Sequence, residues 1–264
     1  MEKTYKRIKE SWEFRSQTYK DRIEGVLPKS FPEKANLYLD RWSFSLLSKI
    51  VNNKRNFQVL DLGCGYGRLS EKLLKKYSKI RIYGIDVAPN YINIFNRKLS
   101  PRGKAFWGDI RKLPFGDESM DAVFLVTTLM YIVDKKNQQA TFKEIFRVLK
   151  KGGKLLVIER DIWGYSLITF GGLVGKIRGN KNKEINAVGF SPRDINALVE
   201  EHGGIIKRKL AIPFFTLSLP LIFVLNKISI NLLDRYLDAV GALDHAFGRL
   251  LFPSIYIAYL GYKK

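Results

Sequence analysis

The chain has 264 residues, of which 46% are hydrophobic, so it has material for a sizeable core and is not intrinsically disordered. Its single cysteine, Cys64, excludes a disulfide framework, a cysteine zinc site and a cysteine-ligated iron–sulfur cluster. Lys and Arg number 46 against 25 Asp and Glu, and the resulting net charge of +21 favours polyanionic partners, either nucleic acid or an anionic membrane surface.

The first part of the chain, residues 1–55, is predicted to be a helical segment. The sequence Ser-Phe-Pro at 30–32 indicates a helix start, and the apolar residues after it lie mostly at helical spacing. The N-terminus is charged and amphipathic and lacks the apolar core of a signal peptide. We therefore expect a cytoplasmic protein.

Residues 56–160 alternate between short apolar strands and helices. Helices are predicted at 69–77, 89–98 and 138–149, and strands at 57–62, 80–85, 105–107, 122–127 and 154–159. Repeated units of this kind predict an α/β fold with a parallel, doubly wound sheet.

The remaining segment, 161–264, is predicted to face the acceptor and to supply two closing strands, at 205–212 and 255–262, the second at the sheet edge. Ser191 and Pro192 open a helix before them. Between the two strands we expect a helical lid at 210–250. It contains the apolar run 210–225, which is shorter than the ~20 residues of a spanning helix and is interrupted by Pro213 and Pro220. A buried strand leading into an apolar lid, or an interfacial helix, is favoured over a membrane span.

The segment Val59–Arg68, which reads VLDLGCGYGR, carries the chemistry. A strand enters a glycine-rich turn and a helix leaves it, so the backbone can approach a ligand closely and the helix N-terminus offers free N–H groups. Asp61 at the strand end can receive the ammonium group of a bound amino acid. A dinucleotide-binding loop would read GxGxxG and carry glycine where Arg68 stands.

Two further carboxylates follow at the ends of the next strands. Asp86 closes the second strand, where a carboxylate can bind both hydroxyls of a ribose. Asp109 follows the third strand and is positioned to accept a hydrogen bond from an adenine amino group, while the Ile110 backbone N–H meets the ring. The three carboxylates thus lie at or just after the ends of three successive predicted strands.

These landmarks, in order over about residues 57–160, resemble the methyltransferase core of the ubiquinone/menaquinone-biosynthesis type, within class I S-adenosylmethionine-dependent methyltransferases. The resemblance implies a methyltransferase enzyme with S-adenosyl-L-methionine as its cofactor. It also implies a Rossmann-like, seven-stranded sheet whose last strand is antiparallel, and no metal is expected. The residues that would line the cofactor are Asp61, Gly63, Cys64, Gly65, Asp86, Val87, Asp109, Ile110 and Val126.

The sequence assigns no catalytic base. Many relatives carry a histidine after the fourth strand where this chain has Leu-Met-Tyr, so Tyr131 is a candidate only. Glu159 and Asp161 follow the fifth strand on the usual ligand side, and a solvated or ion-paired rim is favoured over a base role. His202 is expected to cap helix carbonyls, whereas His245 lies in the insert and could reach an acceptor.

The acceptor is expected to contact two segments outside the core, 161–183 and 210–233, which are apolar with basic flanks. Our leading hypothesis is methylation at O, N or C of a small or amphiphilic acceptor, such as a lipid, a quinone-like compound or a glycan-linked compound, near an anionic membrane surface. The alternative is an RNA methyltransferase that uses the basic surface for phosphates and the aromatic residues of 161–183 for base stacking.

Other readings are weaker or excluded. The chain has no Pro-Pro pair, so the signature of exocyclic base-amine methylation is missing, and its one cysteine is in the cofactor loop, which excludes a cysteine-nucleophile cytosine methyltransferase. A third hypothesis is a non-catalytic S-adenosylmethionine-binding protein, but no loss at Asp61, Asp86 or Asp109 supports it. The net charge could also reflect a generic solvated surface, since Lys, Asn and Ile are abundant. The oligomeric state is left open.

Overall fold

The structure, a computed structural model, describes residues 2–168 and 187–264, with side chains from residue 5 and up to 167 in the first range. One sheet organises these residues. Its strands are β1 (Phe57–Leu62), β2 (Ile80–Asp86), β3 (Gly103–Trp107), β4 (Met120–Val126), β5 (Leu149–Arg160), β6 (Gly204–Ala211) and β7 (Tyr256–Lys263). Their order across the sheet is β3-β2-β1-β4-β5-β7-β6. Neighbouring strands from β3 to β5 run parallel, and β7 is antiparallel to both β5 and β6. The predicted seven-stranded α/β sheet with an antiparallel last strand is thus confirmed.

Helices cover both faces of this sheet. They are α1 (Glu2–Tyr19), α2 (Glu33–Leu47), α3 (Arg68–Lys76), α4 (Pro89–Leu99), α5 (Lys135–Val148), α6 (Ile162–Ile168), α7 (Pro192–Glu201), α8 (Pro213–Ile228) and α9 (Ile230–Phe247). Short 3-10 turns lie at Ile23–Gly25 and Leu129–Tyr131. The helix predicted after Ser191 has a full capping box, because Ser191 and Asp194 each bond the other's backbone N–H.

Alternate residues of the central strands feed two separate cores. Val59 and Phe124 pack with α2, α3, α8 and α9 on one face. Leu60 and Leu125 pack with α5 and α7 on the other. All four side chains are fully buried. A strand buried on both faces reads as a continuous apolar run, which is why the sequence marked these strands clearly.

The prediction that the last strand lies at the sheet edge is wrong. Strand β7 is inserted between β5 and β6, and its first six residues are buried. The alternation of the sequence suggested one solvated face, but helices cover both faces here. The strand at this edge of the sheet is instead β6, which carries the exposed cations Lys207 and Arg208.

The apolar run at 210–225 is mostly helical. Strand β6 ends at Ala211, and Pro213 occupies the first turn of α8, where a missing N–H costs little. Helices α8 and α9 form a hairpin that packs against α2 through Tyr38 and Phe215, whose stacked rings are 4.5 Å apart. Within the ranges described, no helix has the length and apolar character needed to cross a membrane.

Candidate active site

A cavity of about 240 Å³ opens at the carboxyl ends of β1, β2, β3 and β4. Ligands of open α/β sheets bind where the strand order reverses, which here is between β1 and β4. All nine predicted cofactor residues contribute to its wall, namely Asp61, Gly63, Cys64, Gly65, Asp86, Val87, Asp109, Ile110 and Val126. The fold therefore brings these residues into one site, and their individual roles toward a cofactor stay predictions.

The turn after β1 has a backbone that only glycine adopts readily. Gly63 and Gly65 have φ values of +73° and +51°. The N–H groups of Gly63 and Cys64 both donate to the Ile85 carbonyl, at 2.8 and 3.1 Å, which anchors the turn on β2. A Cβ at Gly63 would lie 2.3 Å from Oγ1 of Thr128, so a larger residue would displace the cavity wall.

Asp61 is buried at the end of β1. The Ser70 hydroxyl donates to its Oδ2 at 2.7 Å. Burial raises the pKa of Asp61 to about 7, and the nearby Asp86 carboxylate adds to this shift, while the Ser70 hydrogen bond opposes it. A cation beside Asp61 would reverse the shift, so the site suits the ammonium group of an amino acid.

Asp86 joins β2 to the glycine turn. Its Oδ2 accepts a hydrogen bond from the Gly65 N–H at 2.8 Å, and its Oδ1 accepts one from the Ala88 N–H at 2.9 Å. Burial raises the pKa of this carboxyl, whereas the two backbone N–H groups lower it. Each carboxylate oxygen has a further lone pair and can still accept from a ligand hydroxyl.

Asp109 is bound to Arg111, a residue that the sequence did not single out. The Arg111 Nε lies 2.9 Å from both carboxylate oxygens of Asp109. Burial alone would raise the pKa of Asp109, but the Arg111 guanidinium holds it below its ordinary value. The Tyr5 hydroxyl also interacts with Asp109, and burial together with that charge raises the pKa of Tyr5 to about 12. A ligand amino group would therefore share Asp109 with Arg111.

A charged cluster at the cavity wall was missed by sequence reasoning. Arg68 and Lys72, one helical turn apart on α3, both contact the carboxylate of Asp40 on α2. Asp40 is buried and the Arg68 side chain is only 12% exposed, so two cations share one buried anion and leave a surplus positive charge. The Arg68 Nε is buried without a hydrogen-bond partner in the described structure, and burial lowers the Arg68 pKa to about 10. The only sequence signal was Asp40 itself, an acid within an apolar stretch.

Helix α1 supplies another wall that the sequence did not predict. Tyr5, Ile8 and Trp12 lie at helical spacing on one face and line the cavity. The Trp12 ring meets the Tyr131 ring edge-on, with centroids 5.2 Å apart. Tyr131, the candidate base, therefore does line the same cavity, next to Ile132. The 5, 8, 12 spacing was visible in the sequence, but nothing local showed which surface it would cover.

The expectation of a solvated or ion-paired rim at Glu159 and Asp161 is wrong, because both side chains are buried. Glu159 accepts hydrogen bonds from the backbone N–H groups of Thr128, Leu129 and Met130, at 2.9, 2.7 and 3.1 Å. Burial raises the Glu159 pKa to about 8, against the lowering effect of these three bonds. Asp161 accepts from the Gly164 N–H at 2.8 Å at the start of α6. Glu159 thus holds the turn after β4 in place, and Asp161 caps the start of α6.

The two histidines lie away from this cavity. His202 Nδ1 is 2.9 Å from the Leu198 carbonyl, as expected of a residue that caps a helix end. His245 is exposed on α9 and lines a second cavity of about 270 Å³ between α2, β6 and α9. No residue of 210–250 lines the cavity that contains Asp61 and Asp86, so the lid at this position stays a prediction. The basic part of 161–183, with Lys176, Arg178, Lys181 and Lys183, lies outside the described residues.

Comparison with known proteins gives the family of the core. Residues 59–153 match the family model described as a methyltransferase domain. The chain is 36% identical over 109 residues to a sterol 4-C-methyltransferase of Caenorhabditis elegans, covering 39% of this chain and 31% of that protein. It is 31% identical over 102 residues to the demethylmenaquinone methyltransferase of Thermotoga maritima, covering 39% and 43%. The chain thus spans less than half the length of both relatives.

Solved structures show that the fold extends beyond the matched segment. The geranyl diphosphate C-methyltransferase of Streptomyces coelicolor A3(2), solved with S-adenosyl-L-homocysteine, superposes with a TM-score of 0.62 over 86% of this chain and 80% of that chain. At 15% sequence identity this likeness concerns the fold alone. Residues 59–153 are therefore a methyltransferase domain, and the chain has the class I S-adenosylmethionine-dependent methyltransferase fold that the sequence resemblance implied.

Proposed function

We propose that this protein transfers a methyl group from S-adenosylmethionine to a small or amphiphilic acceptor. The observation that carries the proposal is the composition of the cavity wall. Asp61, Asp86 and Asp109 stand at three strand ends, and Trp12 and Tyr131 form an aromatic wall in the same cavity. The polar groups suit an adenosyl amino acid, and the aromatic wall suits an apolar acceptor.

The residues present fit the cofactor. Asp61 would bind its ammonium group, Asp86 its ribose hydroxyls and Asp109 its adenine amino group. Arg68, which shares Asp40 with Lys72 and has a buried Nε without a hydrogen-bond partner in the described residues, would bind its carboxylate. Left-handed backbone at Gly63 and Gly65 leaves room for the amino-acid portion. When bound, the cofactor supplies an electrophilic methyl group on sulfonium.

The protein's own contribution would be placement and exclusion of water. The Trp12–Tyr131 pair and Ile132 form an apolar wall that would hold the acceptor and keep water out. Glu159 fixes the backbone of residues 128–130 and so positions Tyr131. With Glu159 and Asp161 engaged by backbone N–H groups, Tyr131 is the candidate in this wall for assisting proton removal from a hydroxyl acceptor.

The relatives support an apolar acceptor. The names of two of them specify a sterol and demethylmenaquinone as substrates, and the superposed structure is that of an enzyme acting on geranyl diphosphate. Whether this chain's acceptor is a lipid, a quinone-like compound or a glycan-linked compound is left to experiment.

The test is transfer of isotope-labelled methyl from S-adenosylmethionine into a host-cell extract, followed by partition between organic and aqueous phases. We expect protein-dependent label in the organic phase, and Asp86→Ala as the control should remove it. Label confined to the aqueous phase would contradict an apolar acceptor. RNase-sensitive label there would instead support an RNA methyltransferase, the second candidate, which the net charge of +21 favours.

A further inference from the structure

Helix α8 is apolar on its outer as well as its inner side. Its inner stripe, Phe215, Leu219, Ile222 and Leu225, is buried against the sheet and α2. Its outer stripe is also apolar and also at helical spacing, at Leu217, Leu221, Val224 and Ile228. A surface helix normally carries polar residues on its outer face, and a helix that is apolar all round is normally buried.

The outer stripe continues past the hairpin turn. Ile230 and Leu232 at the start of α9 are also exposed. We call these six side chains the α8 apolar surface: Leu217, Leu221, Val224, Ile228, Ile230 and Leu232. They are between 43% and 69% exposed. A contiguous exposed apolar surface of this kind marks a site of contact with a membrane or with another molecule.

The charges around this surface are positive. The sequence contains no Asp or Glu from Pro213 to Leu233, and its one charge there is Lys227, which is exposed. Arg235 is exposed one turn after Leu232. The nearby acids Asp234 and Asp238 form ion pairs with Lys34 and Arg41, at 2.6 and 3.7 Å. The exposed cations Lys227 and Arg235 therefore make the net charge next to the α8 apolar surface positive.

We propose that the α8 apolar surface docks the protein on an anionic phospholipid bilayer. Helices that lie in the membrane interface combine an apolar face with flanking Lys and Arg, as here. A second copy is a poor occupant, because two chains of +21 repel each other. The helix lies on the bilayer rather than through it, since it is too short and carries Pro220.

Helix α8 contacts the chain connection that leads from the cavity wall to α2. Phe223 on α8 meets Phe31 edge-on, with centroids 6.3 Å apart. Phe31 belongs to the connection that begins with Val26 in the cavity wall. A bilayer under α8 would therefore cover a helix that packs against this connection. This link to an apolar acceptor rests on the proposed function, whereas the docking itself does not.

The test uses the full chain and vesicles of phosphatidylglycerol with phosphatidylcholine, compared with pure phosphatidylcholine. We expect co-sedimentation with the anionic vesicles that weakens as salt rises. The double variant Leu221→Glu/Val224→Glu should lower the partition coefficient by about tenfold or more. Phe14→Glu is the matched control, because Phe14 is exposed on α1 outside the surface. Circular dichroism and thermal unfolding establish that each variant is folded.

A second readout measures contact with the bilayer directly. Since Cys64 is buried, Ile228→Cys and Phe14→Cys can each carry an environment-sensitive fluorophore. We expect a blue shift and quenching by brominated lipid at position 228 but not at 14. The proposal would be overturned if the wild type did not bind the vesicles, or if the double variant bound them equally well. It would also be overturned if the wild type were a dimer and the double variant a monomer with unchanged vesicle binding. Methyl transfer to a dispersed acceptor, measured separately, tests the proposed function independently.

Discussion

The carboxylate of Asp86 accepts a hydrogen bond from the Gly65 N–H at 2.8 Å, so the end of β2 holds the glycine turn that follows β1. The same side chain is predicted to bind the ribose. Shape of the turn and recognition of the sugar are therefore coupled through one residue, and a single substitution should affect both.

Replacing Asp86 with Ala should lower S-adenosylhomocysteine affinity by about 100-fold, because charged hydrogen bonds to the ligand and to Gly65 are both lost. Isothermal titration calorimetry measures the affinity. Asp86→Asn retains one acceptor oxygen and should lose less. Unchanged affinity in Asp86→Ala would refute the assignment of the ribose site.

The pKa of Asp61 predicts a pH dependence of cofactor binding. Burial raises this pKa to about 7 in the free protein, so the carboxyl is largely protonated below pH 7. The ligand ammonium needs the ionised form, and affinity should therefore rise between pH 6 and 7.5 (~tenfold at most per pH unit) with release of a proton. Calorimetry in buffers of different ionisation enthalpy measures that proton.

Asp61→Asn serves as the control, and its affinity should be lower and flat over this pH range. The same shift has a cost in stability. The pKa of Asp61 is higher in the folded state than in the unfolded state. The contribution of Asp61 to the free energy of unfolding is therefore fully present below about pH 4 and is lost as pH rises through about 7. Urea unfolding of Asp61→Asn should therefore show a smaller decrease in the free energy of unfolding as pH rises.

Arg68 should recognise the carboxylate of the ligand. Arg68→Met is expected to lower the affinity for S-adenosylhomocysteine about tenfold or more. The affinity for 5′-methylthioadenosine, which has no amino-acid portion, should stay nearly unchanged. Lys72→Met is the matched control, since Lys72 shares Asp40 but does not line the cavity. Equal losses for both ligands would show that Arg68 acts only through the fold.

Glu159→Gln tests a structural role against a base role. The amide can replace one oxygen, but its NH2 group faces a backbone N–H among residues 128–130, so the free energy of unfolding should fall by about 1–3 kcal/mol. Urea unfolding measures this change. Unchanged stability with complete loss of methyl transfer would instead favour Glu159 as a base.

Trp12→Ala should affect the acceptor more than the cofactor. Loss of the ring opens the aromatic wall beside Tyr131, so the KM for the acceptor, supplied as the extract fraction that becomes labelled, should rise about tenfold. The affinity for S-adenosylhomocysteine should stay within about twofold of that of the wild type. Phe14→Ala, exposed on the same helix, is the control. An equal fall in cofactor affinity would contradict the acceptor assignment.

The positions of the strands along the chain were predictable because they depend on local signals: apolar runs, glycines and acids at strand ends. The nine cavity residues followed from the family resemblance that these signals carry. The positions of β7 and α1 were not, since a strand's neighbour and a helix's docking site are set by distant packing. Asp40 illustrates the limit. Its partners Arg68 and Lys72 lie 28 and 32 residues away, and no spacing rule links α2 to α3. Glu159 was misjudged because its partners are backbone N–H groups, which sequence does not display.

The placement of β7 between β5 and β6 also constrains how the chain folds. The ribosome makes β6 before β7, yet the ladder partner of β6 is β7 and not β5. The parallel strands β1 to β5 can pair before β7 is synthesised. Until then β6 has no ladder partner, and the hairpin of α8 and α9 keeps its apolar faces exposed. Closure of the sheet is therefore a late, long-range step, and the interval before it is when the nascent chain is most exposed to aggregation and to chaperones.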